Sequence, residues 1–168
     1  MTQQRERRLA GEYAATRLGQ ALVVIQGCPL GPIPQAIAES MPLAIARRVS
    51  RPWRPEADIV AVFGDGIEVI ECKIFKLIDG AAKLPLYASL VGQTPELQTH
   101  LPRPVRMRLV CPWVSIAVQQ FADGASIIVE HFAPAWIESY VESMHNYWTR
   151  EYRQARAERQ RRLAELGL

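Results

Sequence analysis

The sequence is poor in the residues that build zinc sites, disulfide frameworks and membrane spans. Its three cysteines stand far apart, at Cys28, Cys72 and Cys111, and form no C-x-x-C pair. This spacing argues against a zinc site or a disulfide framework and favours a reducing compartment. No apolar run approaches the ~18–20 residues that span a bilayer, so we expect a soluble cytoplasmic protein without a membrane partner.

Lysine is scarce, and neither sign of charge dominates. Only three of the 20 basic side chains are lysines, at Lys73, Lys76 and Lys83. The formal net charge of +3 permits contact with nucleic acid without requiring it. There is no internal repeat or low-complexity segment, and 168 residues that are 49% hydrophobic can bury the core of one globular domain.

The stretch 57–75 predicts a β-hairpin with charged residues near the open end. Two apolar segments flank a Gly-Asp-Gly turn at 64–66, and glycine supplies the positive φ angles of a tight turn. The second segment is apolar on both faces, which is typical of a central strand. Glu71 and Lys73 nevertheless share one face, and the hairpin places Asp58 beside Glu71. Such charges are costly to bury unless they are paired or bind a metal.

Asp58 followed by Glu71-Cys72-Lys73 resembles the D…(D/E)-x-K signature of the PD-(D/E)xK nuclease superfamily, which has the restriction-endonuclease-like fold. The local match is an acid at the start of a strand, a short hairpin, and E-x-K in an apolar strand that precedes a helix. The proline that often precedes the first acid is absent, and Ala57 stands there.

The elements around the hairpin complete the expected fold. The resemblance implies an α/β domain over residues 1–133, a restriction-endonuclease-like central mixed β-sheet flanked by helices. A helix between the hairpin and the next strand predicts a crossover and parallel pairing. Further helices are expected over 5–18, 81–91 and 115–122, and over 35–49 with a break at Pro42. Further strands are expected over 21–26, 105–111 and 126–132. An extended connector is expected over 50–56 and a turn over 78–80.

Residues 134–168 predict one long C-terminal helix. Apolar residues recur at threes and fours in its first half, which we expect to pack on the domain. Arginines then recur every third residue from Arg150 to Arg159, and this half is expected to project as an Arg-rich arm. A phosphate-binding arm, a helix that binds a partner chain and a solvated tail with salt bridges all fit the pattern.

The resemblance also implies a divalent-metal active site. Asp58, Glu71 and Lys73 would be its catalytic residues. Mg²⁺ or Mn²⁺ would be held by Asp58, Glu71 and the backbone carbonyl of Cys72, and hard oxygen ligands suit Mg²⁺. An acid on the first helix often faces the metal in such proteins, and Glu12 is the best candidate here. Lys73 would orient or deprotonate a water or neutralise charge on the phosphate. A salt bridge between Glu71 and Lys73 is the purely structural alternative.

Basic and aromatic side chains near this motif predict contacts with DNA. Arg51, Trp53 and Arg54 lie just before the first acid, and Trp with Arg can stack on bases and hold phosphates. Lys83 and Tyr87 share one face of the next helix, which in relatives supplies groups near the substrate phosphate. The alternatives are a Trp53 that anchors a loop, a Tyr87 in the core and a solvated Lys83.

Three functions follow from these patterns. The first is a metal-dependent nuclease that hydrolyses DNA phosphodiester bonds through Asp58, Glu71 and Lys73. The second is a phage-like structural or assembly subunit with a nuclease fold, virion-associated, whose C-terminal helix binds copies of itself or another subunit. The third is a nucleic-acid-binding module with a degenerate site. The intact motif favours the first, whereas the modest charge and the aromatic C-terminal helix favour the second.

Overall fold

A mixed five-stranded sheet forms the centre of the molecule. The computed structural model describes residues 2–145, 154, 157–159 and 161–162. The strands follow the order β1-β2-β3-β4-β5 across the sheet. They are β1 (Val23–Pro29), β2 (Glu56–Val62), β3 (Ile67–Cys72), β4 (Val105–Cys111) and β5 (Ile127–His131). The helices are α1 (Thr2–Arg17), α2 (Gln35–Ser40), α3 (Leu43–Val49), α4 (Leu77–Leu90), α5 (Ile116–Gly124) and α6 (Ala135–His145), with 3-10 helices at Arg51–Trp53, Val91–Gln93 and Pro95–His100.

The direction of pairing changes in the middle of the sheet. β1, β2 and β3 are antiparallel neighbours, whereas β3, β4 and β5 are parallel. The two parallel pairs are connected through α4 and α5. The predicted fold class, an α/β protein with a mixed sheet and flanking helices, is therefore confirmed, as is the parallel pairing of β3 with β4. None of the described helices is both long enough and apolar enough to span a bilayer.

Helices cover both faces of β3, which explains why all six of its residues are buried. Glu68 and Glu71 are three positions apart on the strand and so face opposite sides. Glu71 lies near Lys83 of α4. Glu68 belongs to a network that reaches Tyr13 of α1. The apolar core beside α4 is formed by side chains such as Val60, Val69, Leu84, Leu109 and Val118.

The network on the α1 side holds four polar side chains together. Arg108 donates to both carboxylate oxygens of Glu68, at 2.9 and 3.0 Å, and to Glu130 at 2.7 Å. The Tyr13 hydroxyl donates to the same Glu130 oxygen at 2.7 Å. Buried charges are tolerated when they are paired and hydrogen-bonded in this way. The network connects α1 to β3, β4 and β5.

Several elements of the structure differ in their bounds or type from those that the sequence predicts. The turn predicted over 78–80 is wrong, because Lys76 with φ 52° reverses the chain and α4 begins at Leu77. The first strand runs to Pro29 instead of residue 26, because Gly27 adopts φ 59° within the paired segment. The strand of the E-x-K motif ends at Cys72. The expected extended connector contains a 3-10 turn at Arg51–Trp53.

Other local predictions are confirmed. The helical region 35–49 is split at Pro42 into α2 and α3 because proline in a helix interior removes a hydrogen bond and clashes with the preceding turn. Ser115 caps α5, with its hydroxyl accepting from the Val118 amide at 3.3 Å, as expected for an N-cap serine. β4 has the predicted bounds.

The chain divides into two compact units, Met1–Phe132 and Ala133–Leu168. α6 occupies the start of the second unit. Of the arginines in the expected arm, Arg159, Arg161 and Arg162 are exposed, and Arg162 donates to Glu158 at 2.8 Å. Arg150, Arg153 and Arg156 lie outside the described residues, as do Tyr147 and Trp148. The packed first half and the projecting arm therefore stay predictions.

Candidate active site

Antiparallel pairing of β2 with β3 brings Asp58 and the E-x-K motif together. Ile59 pairs with Ile70, so the register places Asp58 next to Glu71 at the open end of the hairpin. One carboxylate oxygen of Asp58 accepts a hydrogen bond from the Cys72 amide at 2.8 Å. Asp58 is partly buried, whereas the Glu71 side chain is only 2% exposed.

Only one of the two oxygens of the Glu71 carboxylate has a partner among the described residues. Its Oε1 lies 3.2 Å from the Lys73 ammonium and 3.4 Å from that of Lys83. Its Oε2 is buried and has no hydrogen-bond partner among the described residues. Because nearly all buried polar atoms in folded proteins find a partner, Oε2 is in the position of a ligand atom for a cation.

The Lys73 side chain is held between two helices. Its Nζ donates to Glu6 of α1 at 3.0 Å. Its stem passes over Gly80 of α4, where a Cβ would lie 2.5 Å from Lys73 Cγ. Any larger residue at position 80 would therefore occupy the space of the stem. Gly80 leaves room for Lys73 to reach the carboxylates.

The carboxylates and ammonium groups perturb one another. Burial, reinforced by the charge of Glu71, raises the pKa of Asp58 to about 6, although the Cys72 amide and Lys73 oppose the shift. Burial disfavours the charge on Lys73, but the carboxylates of Glu71, Asp58 and Glu6 outweigh it and raise the pKa of Lys73 above its usual range. Lys73 is therefore an ammonium at neutral pH. Repulsion between Asp58 and Glu71 favours a bound cation.

α4 brings two further predicted residues to the same end of the sheet. Lys83 reaches Glu71 and remains about half exposed, so its ammonium faces both the carboxylate and solvent. Tyr87, one turn later, belongs to the buried core. Burial, followed by the charges of Glu71 and Asp58, raises the pKa of Tyr87 to about 12. Tyr87 is thus a core aromatic beside the site rather than an exposed contact for DNA.

Glu6, and not the predicted Glu12, is the α1 acid beside Lys73. Six residues along a helix correspond to a rotation of about 240° beyond one full turn, so the two acids point in different directions. Glu12 forms an ion pair with Arg8 at 2.8 Å on the outer side of α1. The buried Ala10 lies four residues after Glu6, and the buried Tyr13 lies three residues after Ala10. Glu6 could have been found from this stripe.

The three residues in the connector before β2 that are predicted to contact DNA differ in their exposure. Arg54 is buried, donating to both oxygens of Glu96 at 2.8 and 2.7 Å and to the Pro29 carbonyl at 2.8 Å. It is unable to reach a phosphate, so that prediction is wrong. Trp53 is 66% exposed and Arg51 is exposed, so both remain accessible.

Two carboxylates, rather than a ready-made cluster, would form the metal site. Among the described residues, no group of three or more His, Cys, Asp or Glu side chains is arranged to hold a metal ion. Asp58 and Glu71 nevertheless fit a hard cation, because Glu71 Oε2 lacks a partner and both groups offer oxygen. Mg²⁺ usually takes only one or two protein carboxylates and completes its shell with water and phosphate.

The architecture is that of a mixed α/β protein, with a first helix, an antiparallel hairpin and parallel strands reached through helices. No protein-family model matches the sequence. No curated protein matches it either. One similar solved structure is a repair endonuclease from Pyrococcus abyssi, with 20% identity over 47% of this chain and 33% of that chain and a TM-score of 0.37. The chain thus spans about a third of that protein.

A second similar structure matches over nearly the whole chain. It is the small subunit, R.BspD6I2, of the heterodimeric restriction endonuclease R.BspD6I, with 13% identity over 98% of this chain and 99% of that chain and a TM-score of 0.32.

Proposed function

We propose that this protein is a metal-dependent nuclease that hydrolyses DNA phosphodiester bonds at Asp58, Glu71 and Lys73. One observation carries the proposal: an almost fully buried glutamate has one oxygen beside two ammonium groups and the other without a partner. A salt bridge that served stability alone would be expected to satisfy both oxygens, because an unpaired buried polar atom costs about 1–3 kcal/mol.

Asp58, Glu71 and the Cys72 carbonyl would hold Mg²⁺ or Mn²⁺. When bound, the ion supplies Lewis-acid polarisation of the phosphodiester and a more acidic water. The charges of three carboxylates, those of Glu71, Asp58 and Glu6, act on Lys73, and Glu71 also lies beside the ammonium of Lys83. This excess of negative charge favours a divalent cation.

Lys73 acts in this proposal as a fixed positive charge. Its raised pKa keeps it protonated, so it donates hydrogen bonds to a phosphate oxygen and stabilises charge that develops there. A lysine that stays protonated does not accept a proton, so the role of general base fits Lys73 less well. Lys83 adds a second, more exposed ammonium from α4, suited to contact the phosphate from the solvent side.

Cleavage of DNA by the purified protein tests the proposal. Supercoiled plasmid and branched DNA are incubated with Mg²⁺, with Mn²⁺ or with EDTA. We expect cleavage with either metal, none with EDTA, and none for Asp58→Asn, which keeps the shape of the side chain but removes the charge that binds metal. A crystal soaked in Mn²⁺ should show density between Asp58 and Glu71.

The outcomes separate the proposed functions. A folded wild type that cuts none of these substrates with either metal, and forms a stable ring or hetero-complex instead, would contradict the nuclease proposal and favour the assembly subunit. Cleavage that persists in Asp58→Asn at the wild-type rate would place the chemistry elsewhere. Circular dichroism and thermal unfolding confirm that the variant is folded.

Gly80→Ala should lower cleavage while leaving the fold intact. The new Cβ would lie 2.5 Å from Lys73 Cγ, so the lysine stem has to move away from Glu71. We expect cleavage to fall by about tenfold or more, since catalysis depends on positioning within about 1 Å. Alanine in a helix interior is favoured over glycine by about 1 kcal/mol, which offsets part of the strain. The thermal midpoint is measured alongside the cleavage rate.

Gly92→Ala is the matched control for this substitution. A Cβ at Gly92 meets nothing within 4 Å, so the same chemical change should leave cleavage at the wild-type level. Equal rates for Gly80→Ala, Gly92→Ala and wild type would show that the position of the Lys73 stem does not matter for activity.

A further inference from the structure

A cleft next to the candidate active site has basic walls that the proposed chemistry does not use. It has a volume of about 360 Å³ and lies beside Asp58, between α1, β1 and the start of β2. Arg7 of α1 lines it on one side, and Arg51 of the 3-10 turn lines it as well. The cleft therefore joins an acid of the active site to two guanidinium groups.

The two arginines are held differently. Arg51 donates to the Gly27 carbonyl at 2.7 Å and to Glu56 at 3.0 Å, so its guanidinium is fixed in place. A Cβ at Gly27 would lie 3.1 Å from Glu56 Oε1 and 3.6 Å from Arg51 Nη2, so glycine allows this close approach. Arg7 is exposed and has no hydrogen bond or ion pair with any described residue.

α1 places charges of opposite sign in two neighbouring sites. Glu6 reaches Lys73 of the E-x-K motif, while Arg7, the next residue, lines the cleft. Glu56 offsets the charge of Arg51, and Asp58 belongs to the proposed metal site. The charge of Arg7 is thus uncompensated within the described part of the cleft. A planar guanidinium without a partner suits a phosphate group, which it binds through two parallel hydrogen bonds.

We infer that this cleft binds the sugar-phosphate backbone of the DNA strand beside the cleaved bond, with Arg7 and Arg51 as its phosphate ligands. The inference rests on the proposed function, because Asp58 forms part of both sites. Arg51 acts as a preorganised contact and Arg7 as a mobile one. The two phosphate contacts would fix the position of the strand relative to Asp58 and Glu71.

Binding of a short fluorescein-labelled DNA duplex, measured by anisotropy, tests the inference without requiring cleavage. Ca²⁺ replaces Mg²⁺ in the assay, and the salt concentration is varied. We expect Arg7→Gln and Arg51→Gln each to raise Kd about tenfold, since a hydrogen bond to a charged group is worth about that much. Each should reduce the slope of log Kd against log salt by about one.

Arg8→Gln is the matched control on the same helix. It removes the same charge one residue away, but Arg8 is paired with Glu12 and does not line the cleft. We expect its effect on Kd to be clearly smaller than that of Arg7→Gln. Because Arg7 makes no hydrogen bond or ion pair with a described residue, its substitution should leave the thermal midpoint unchanged, whereas Arg51→Gln removes hydrogen bonds to Gly27 and Glu56.

Each result decides one question. Equal effects of Arg7→Gln, Arg51→Gln and Arg8→Gln would overturn the cleft assignment, even if the protein cuts DNA. A wild type that does not bind the duplex at all would also overturn it. Binding that depends on Arg7 and Arg51, in a protein that cleaves nothing with Mg²⁺ or Mn²⁺, would support the cleft and contradict the proposed nuclease activity.

Discussion

Lys73→Ala should lower Mg²⁺-dependent DNA cleavage by about 10²–10³-fold, the range found when one preorganised donor is removed from an active site. The ammonium lies 3.2 Å from Glu71 and 3.0 Å from Glu6. No other described ammonium contacts both carboxylates. Lys83 is half exposed and reaches Glu71 only, so it is not expected to compensate.

Lys73→Met separates charge from packing in this experiment. Methionine retains most of the apolar stem above Gly80 but carries no charge, so cleavage should be lost as in Lys73→Ala while more of the stability is kept. Lys76→Gln is the control, because Lys76 is exposed and has no described contact with the carboxylates. Cleavage rates, circular dichroism and thermal midpoints are compared. Cleavage by Lys73→Met within about threefold of wild type would remove Lys73 from the mechanism.

Arg54→Ala should destabilise the protein by about 3–5 kcal/mol, the cost of breaking a buried ion pair by removing one partner. The Arg54 side chain is 1% exposed and that of Glu96 18%. The substitution removes two hydrogen bonds to Glu96 and one to the Pro29 carbonyl. Urea unfolding monitored by circular dichroism measures the loss. Arg51→Ala is the control, because Arg51 and its partner Glu56 are exposed and such pairs contribute at most about 1 kcal/mol.

The effect of Arg54→Ala should also depend on pH. Burial acts to raise the pKa of Glu96, but the hydrogen bonds from Arg54 outweigh it and lower that pKa below its usual value. A lowered pKa in the folded state contributes stability above the unfolded pKa of about 4.3, and this is lost as the pH falls through the folded value. Without Arg54, burial is opposed only by a backbone hydrogen bond and the charge of Arg47, so the pKa of Glu96 rises in the variant. The charged carboxylate then costs stability at neutral pH, and this cost is relieved as Glu96 takes up a proton.

The difference in unfolding free energy between wild type and Arg54→Ala should therefore shrink as the pH is lowered from neutral toward 4. A difference that stayed constant over this range would show that the lost stability comes from packing and not from the charge of Glu96. The double variant Arg54→Leu/Glu96→Leu should recover much of the stability, because apolar residues often replace a buried ion pair without loss.

The sequence was sufficient to predict the hairpin and the motif. An apolar strand interrupted by Glu71 and Lys73 predicts that charges are held at one place in the sheet, and the Gly-Asp-Gly turn at 64–66 fixes the register that brings Asp58 there. Both signals are local, within about twenty residues of chain. The same holds for Pro42 and Ser115, whose effects on helix boundaries are confined to one turn.

Contacts between distant segments could not be predicted in the same way. The motif itself carries no signal that decides between Glu6 and Glu12, because this depends on the rotation of α1 against the sheet, which only the buried stripe of the helix indicates. The burial of Arg54 depends on Glu96 in a distant 3-10 helix, and nothing near Arg54 in sequence distinguishes it from the exposed Arg51. The local sequence predicts a turn at Gly80, whereas the Lys73 stem that passes over this glycine explains why no side chain stands there.

The hairpin turn and the reactive groups occupy opposite ends of the same pair of strands. Five residues, four of them in β2, separate Asp58 from the turn at 64–66, and five residues correspond to about 16 Å at the usual rise per residue. The Asp65–Arg106 ion pair at the turn is exposed and so adds little to stability. A fluorescent reporter attached at the exposed Asp65, with the length of the turn and so the strand register unchanged, should therefore follow the protein without disturbing its chemistry.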